Sequence, residues 1–127
     1  MRRVTAAVAV KGGRVLLARR REGDEMGGYW EFPGGEVEEG ECDAGCLRRE
    51  IREELGVSCS VLEKLGEFED PEAGITLVAY LVDLPEEGYK LASHREVRWV
   101  YLARIERYQM PPLDREIVKK LRTLTRP

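Results

Sequence analysis

Near the amino terminus, Val4, Ala6, Val8 and Val10 alternate with the positions between them, and after Gly12-Gly13 a second apolar run spans Val15 to Ala18. A period of two predicts strands, and the glycine pair between them predicts a hairpin. The polar loop REGDEMGG follows, and YWEFPGG then carries three aromatics into a Pro-Gly-Gly turn, which predicts a short strand entering a turn. From about Asp43 to Leu55 the period changes. Leu47, Ile51 and Leu55 recur every fourth residue, and Gly56 stands where a left-handed residue ends a helix. VSCSVLEKLGEFED and GITLVAYLVDL predict two strands around Asp70-Pro71, and EVRWVYL predicts a third. In PPLDREIVKKLRTLT, Leu113, Ile117, Leu121 and Leu124 form one helical stripe behind two prolines suited to a helix entry.

Strands and helices therefore mix, and 127 residues without a repeat or linker predict a single domain over residues 1–127. Charged residues reach 35%, above the usual quarter, so the surface should be rich in charge. With 21 Lys+Arg against 24 Asp+Glu the formal net charge is −3, which argues against general binding of nucleic-acid polymers or acidic membranes. Three cysteines without a CxxC pair, beside a single histidine, argue against a zinc site and for reduced thiols. The opening MRRVTAAVAV lacks the long apolar run of a signal peptide, and no uncharged run approaches the roughly 18 to 20 residues of a membrane span. The expectation is a cytoplasmic protein, monomeric or homodimeric.

One stretch does not fit a plain reading. At about 100° per residue, Glu50, Glu53 and Glu54 share an arc of roughly 100° beside the apolar stripe. Like charges three and four residues apart repel, and here they stand toward the helix C-terminus, where the dipole disfavours anions. Arg48, Arg49 and Arg52 could make this a solvated, ion-paired face. Equally, a hard cation such as Mg²⁺ or Mn²⁺ takes oxygen ligands and would turn repulsion into coordination, and the backbone of Pro33-Gly34-Gly35 could join it.

The spacing decides between them. Gly35, five residues, Glu41, seven residues, then REIREELGV resembles the Nudix box: glycine, x5, glutamate, x7, then RE-U-x-EE-x-G-U with U a bulky aliphatic. Gly35, Glu41, Arg49, Glu50, Glu53, Glu54 and Gly56 meet every fixed position, with Ile51 and Val57 at the aliphatic places. The resemblance implies an α/β fold, an α/β/α sandwich with a central mixed sheet, and Mg²⁺- or Mn²⁺-dependent hydrolysis of a nucleotide anhydride. Carried over, Glu50, Glu53 and Glu54 would hold the metal, Gly34 would lend its carbonyl, and Arg49 and Glu41 would support the carboxylates and the loop.

Beyond the box, EFPGG and PPLDREI resemble MutT-like enzymes, which cleave a nucleoside triphosphate to the monophosphate and pyrophosphate, some of them acting on 8-oxo-dGTP. That resemblance implies phosphate contacts from Arg19 and Arg20, with Glu31, Phe32, Ile75 and Asp114 around the substrate. Val4, Ala6 and Phe68 are further residues of a type that could line an apolar slot. The chain departs from the MutT pattern twice. Asp114 replaces an asparagine, and an ionised carboxylate only accepts, which suits guanine N1-H and N2-H₂ or the cytosine N4 amino group. An ordinary role near a helix N-terminus is as well matched to it. In LASHREVRW, Ser93 falls where many relatives place a glutamate, leaving His94 and Glu96 as candidate loop bases, although a lone loop histidine is more often simply exposed. A CTP or 5-substituted cytosine nucleotide hydrolase, an ADP-ribose or dinucleotide hydrolase, and a non-catalytic nucleotide-binding regulator remain as alternatives.

Overall fold

The computed structural model describes residues 1–125. Strands β1 (Arg2–Lys11) and β2 (Arg14–Arg20) form the hairpin, followed by the short β3 (Trp30–Glu31), helix α1 (Asp43–Leu55), β4 (Ser60–Asp70), β5 (Ile75–Asp83) and β6 (His94–Tyr101). A 3-10 turn over Leu102–Arg107 leads to α2 (Pro112–Thr125). Gly12 and Gly13 both have positive φ, 55° and 74°, which is what a two-residue hairpin turn requires.

The sheet runs β3-β2-β1-β5-β4, with β6 on the other edge of β2. β1 and β5 are parallel and the other pairs antiparallel, so the sheet is mixed. The alternation in β1 leads one to expect a single apolar face, yet both faces are buried. Ala6 and Val8 pack with Ile117, Val118 and Leu121 of α2, while Ala7 and Ala9 pack with Leu47, Ile51 and Leu55 of α1. Small residues suit this strand because a helix lies against each side of it. The helical stripe of α2 stops short of Leu124, which is 56% exposed.

β1 and β2 pair only near their turn, at Val10↔Val15 and Lys11↔Arg14. Where they diverge, the turn after β3 takes over the free edge of β1. Ala7 N–H donates to the Pro33 carbonyl (2.7 Å), Thr5 N–H to the Gly35 carbonyl (2.8 Å), and Val37 N–H to the Arg3 carbonyl (2.9 Å). That wedge sets the Pro-Gly-Gly turn beside α1. A β-carbon on Gly34 would lie 2.0 Å from the Thr5 carbonyl oxygen, so this approach requires glycine.

Candidate active site

Three buried aliphatics hold α1 to the sheet, at about 1.5–3 kcal/mol each, against a few tenths for each repelling glutamate pair. Packing therefore outweighs the charge cost. The N-terminal end is pinned by Arg3, which donates to both Asp43 oxygens at 2.8 and 2.7 Å, and by the Tyr80 hydroxyl, which donates at 2.7 Å. At the other end Gly56 adopts φ 68°, and Lys90 and Ala92 N–H donate to the Leu55 and Glu54 carbonyls at 2.9 and 3.0 Å. These last bonds draw the segment before β6 onto the glutamates.

Arg49 is the hub of the acidic face. It binds Glu41 through two nitrogens (2.7 and 3.0 Å), Glu50 at 2.7 Å, Glu53 at 3.4 Å and the Glu36 carbonyl at 3.1 Å. The guanidinium, helped by the Glu38 N–H, holds the Glu41 carboxyl at about 2, below its ordinary range. Glu50 packs on Gly35, whose hydrogen leaves the room its carboxylate occupies. Glu53 is exposed, while Glu54 is largely buried and its Oε2 has no hydrogen-bond partner in the protein. Burial first, then the approach of Glu50 and the charges of Glu50, Glu31 and Glu53, push the Glu54 carboxyl well above its usual range. With Glu50 turned to Arg49 and Glu53 to solvent, no three Asp, Glu, His or Cys side chains among the described residues converge on one point. Since the carbonyls of Pro33 and Gly35 are taken by β1, extended geometry turns that of Gly34 away from it.

The two candidate loop bases part company. His94 is not an exposed loop residue: it opens β6 and is 4% exposed, because the Lys90 and Ala92 bonds pull its backbone in behind α1. Its Nε2 lies 2.8 Å from Glu31 Oε2, and its Nδ1 lies 3.7 Å from Glu54 Oε1 without a hydrogen-bond partner. Glu96 instead pairs with Arg98 at 3.1 Å and Arg19 at 3.6 Å.

Two adjoining cavities of about 340 and 330 Å³ share Arg20 and Glu31. The first is polar and also holds Arg21, Asp24, Glu54, Ser93 and His94. The second is largely apolar, with Val4, Phe32, Ile75, Leu77 and Leu113 around Asp114, and Gly34 at its margin. Arg19 reaches neither. Neighbouring strand residues point to opposite faces, and Arg19 lies over Trp30, 5.6 Å from the ring centroid, with its Nε on the Gly28 carbonyl. Ala6 and Phe68 likewise belong to the core against α2 rather than the cavity wall. Asp114, far from being a solvated residue of the first helical turn, is 8% exposed and accepts from Phe32 N–H at 2.9 Å. Burial raises its carboxyl to about 7, with the Phe32 bond opposing and the charge of Glu31 adding.

Thr5 and Tyr80 are positioning residues that no motif signals. The Thr5 hydroxyl, 1% exposed, bonds the Gly35 carbonyl (3.2 Å) and meets Cys46 Sγ (3.3 Å). A hydroxyl inside an apolar strand was the one clue.

The NUDIX domain model matches residues 1–121. The chain is 36% identical over 125 residues to a Mycobacterium tuberculosis protein assigned as 8-oxo-dGTP diphosphatase 2, covering 95% of this chain and 89% of that one. It is 32% identical over 108 residues to the CTP pyrophosphohydrolase of Escherichia coli, covering 85% and 80%. The solution structure of the E. coli ORF135 protein superposes with a TM-score of 0.86 at 31% identity, covering 98% of this chain and 90% of that one. No helix among the described residues is long and apolar enough to cross a membrane. With the domain model matched over nearly the whole length, the chain belongs to the Nudix family of hydrolases.

Proposed function

We propose that this protein is a Mg²⁺- or Mn²⁺-dependent pyrophosphohydrolase, a single catalytic domain that converts a nucleoside triphosphate to the monophosphate and pyrophosphate. The observation that carries this reading is the pair of adjoining cavities, one apolar around a buried Asp114 and one polar beside Glu54, joined at Arg20 and Glu31. A base fits the first, with its edge on Asp114, and the phosphates reach the second, where Arg20 offers its guanidinium.

The donor set fits a hard divalent cation. A buried carboxylate oxygen without a partner and a second carboxylate against it are oxygen donors of the kind such ions take. Glu50, Glu53, Glu54 and the Gly34 carbonyl would hold the ion, which when bound supplies charge neutralisation at phosphate and a more acidic water. Arg49 holds Glu50 and Glu53 within reach of each other, and Glu41 holds Arg49.

The names of the relatives support guanine or cytosine nucleotides, with 8-oxo-dGTP as the first reading. A second reading, CTP or 5-substituted cytosine nucleotides, rests on the same residue, since an acceptor at Asp114 matches the cytosine N4 amino group as well as it matches guanine N1-H and N2-H₂. The three free cysteines support a reducing, cytoplasmic setting. Release of pyrophosphate is to be measured across the eight normal nucleotides, 8-oxo-dGTP and 5-methyl-dCTP, for the wild type and Asp114→Asn. A changed order of preference places Asp114 at the base; a uniform effect removes it.

A further inference from the structure

His94 is the single histidine of the chain and faces two carboxylates on two different elements. Nε2 meets Glu31 of β3 at 2.8 Å, and Nδ1 faces Glu54 of α1 at 3.7 Å. Glu31 is the carboxylate that borders both cavities, and Arg20, the cation that borders both, stands 3.6 Å from it. Those two groups compete. Arg20 already binds Asp24 through Nη2, and a Glu31 carboxylate released from the imidazole would turn onto the remaining donors, at Nη1, that a phosphate needs. An imidazole N–H on a carboxylate in a nearly sealed place is a charge-assisted bond, stronger than the long, partly exposed contact to Arg20. The ring therefore holds Glu31 in place.

We propose that His94 is a positioning residue that fixes Glu31 at the boundary of the two cavities and so keeps Arg20 available to the substrate. This rests on the reading that the substrate is a nucleoside triphosphate spanning both cavities. A role in packing alone would make no use of Glu31, and a role as general base would appear in kcat.

The test compares wild type, His94→Ala, His94→Gln, Glu31→Gln and the His94→Ala/Glu31→Gln double variant with the preferred nucleotide. Loss of one such bond predicts that His94→Ala raises KM about tenfold with kcat held within about threefold. His94→Gln, whose amide N–H falls near the place of Nε2, should recover most of that, and His94→Ala should add nothing in the Glu31→Gln background. Additive effects, a fall in kcat at constant KM, or a Gln variant no better than Ala overturn the proposal. A second arm needs no substrate: imidazole ¹⁵N NMR should find the wild-type proton held on Nε2 and that signal changed in Glu31→Gln. A proton on Nδ1, or a spectrum indifferent to Glu31→Gln, overturns it as well. A wild type inactive on every nucleoside triphosphate overturns the proposed function, while the NMR arm still decides the role of the histidine.

Discussion

Gly35 and Glu50 are in direct contact. A β-carbon on Gly35 would lie 2.3 Å from the Glu50 carboxyl carbon and 2.5 and 2.6 Å from its oxygens. The atoms in the way end a flexible side chain, so Gly35→Ala should fold while displacing the carboxylate. The expected loss is about 10- to 100-fold in kcat/KM with little change in Tm, measured by steady-state kinetics and thermal melts. Gly34→Ala meets backbone instead, at Thr5, and should lower Tm outright. Equal kinetics for wild type and Gly35→Ala would mean that the placement of Glu50 does not matter.

Glu54 links cation binding to pH. Its folded carboxyl is raised, so between its unfolded and folded values the metal-free protein binds more protons than the unfolded chain, and stability falls as pH rises. A cation takes the deprotonated form, so its stabilising effect grows with pH. The Tm increment from Mg²⁺ or Mn²⁺ should be several degrees larger at pH 8.5 than at pH 6.5, as about 1 kcal/mol gives in a domain of this size. Glu54→Gln should raise the metal-free Tm and remove the increment. An increment that persists in Glu54→Gln would exclude this residue from the ion site.

Asp114 adds a second pH dependence of the same sign. Its ordinary value of 3.8 rises to about 7 in the fold. Stability should therefore decline from about pH 4 to about pH 7 and level off above, by on the order of 4 kcal/mol for a gap of that size. Asp114→Asn keeps an acceptor for Phe32 N–H and carries no charge, so its denaturation midpoint should be flatter over that range. Parallel pH profiles for wild type and Asp114→Asn in urea titrations would contradict the burial cost assigned to this carboxyl.

The Arg3, Asp43 and Tyr80 cluster docks the start of α1, and Asp43 is held below its ordinary range chiefly by the Arg3 hydrogen bonds. Asp43→Ala leaves both partners unmatched and should cost about 1–3 kcal/mol in urea unfolding at pH 7. A depressed carboxyl contributes above its unfolded value, so the difference from wild type should shrink as the solution is made acid. A constant difference down to pH 3 would assign the cost to packing rather than charge.

The strands, the hairpin turn, α1 with its Gly56 cap and the start of α2 were legible because each is local: two-residue or four-residue apolar periods, paired glycines and a Pro-Pro entry. The box glutamates stood out for a different reason, since the charge cluster alone left a solvated, ion-paired face open and the spacing from Gly35 through Glu41 to REIREELGV matched the Nudix box. Leu124 misled because a helical stripe extends beyond the surface it covers. Arg19 and His94 misled because strand-face alternation and the burial of a backbone segment by α1 are set by partners far along the chain.

By itself, the sequence determined where helices and strands form, which carboxylates share the edge of α1 and which family the chain joins, since these depend on spacing along one segment. Only the tertiary structure decided that β1 is buried on both faces, that Arg20 rather than Arg19 meets the cavities, that Glu31 and His94 pair, and that Asp114 lies out of water beneath Phe32. Each of these depends on bringing residues from different elements to within a few ångströms. Desolvation and hydrogen bonding act over that distance, whatever the separation along the chain.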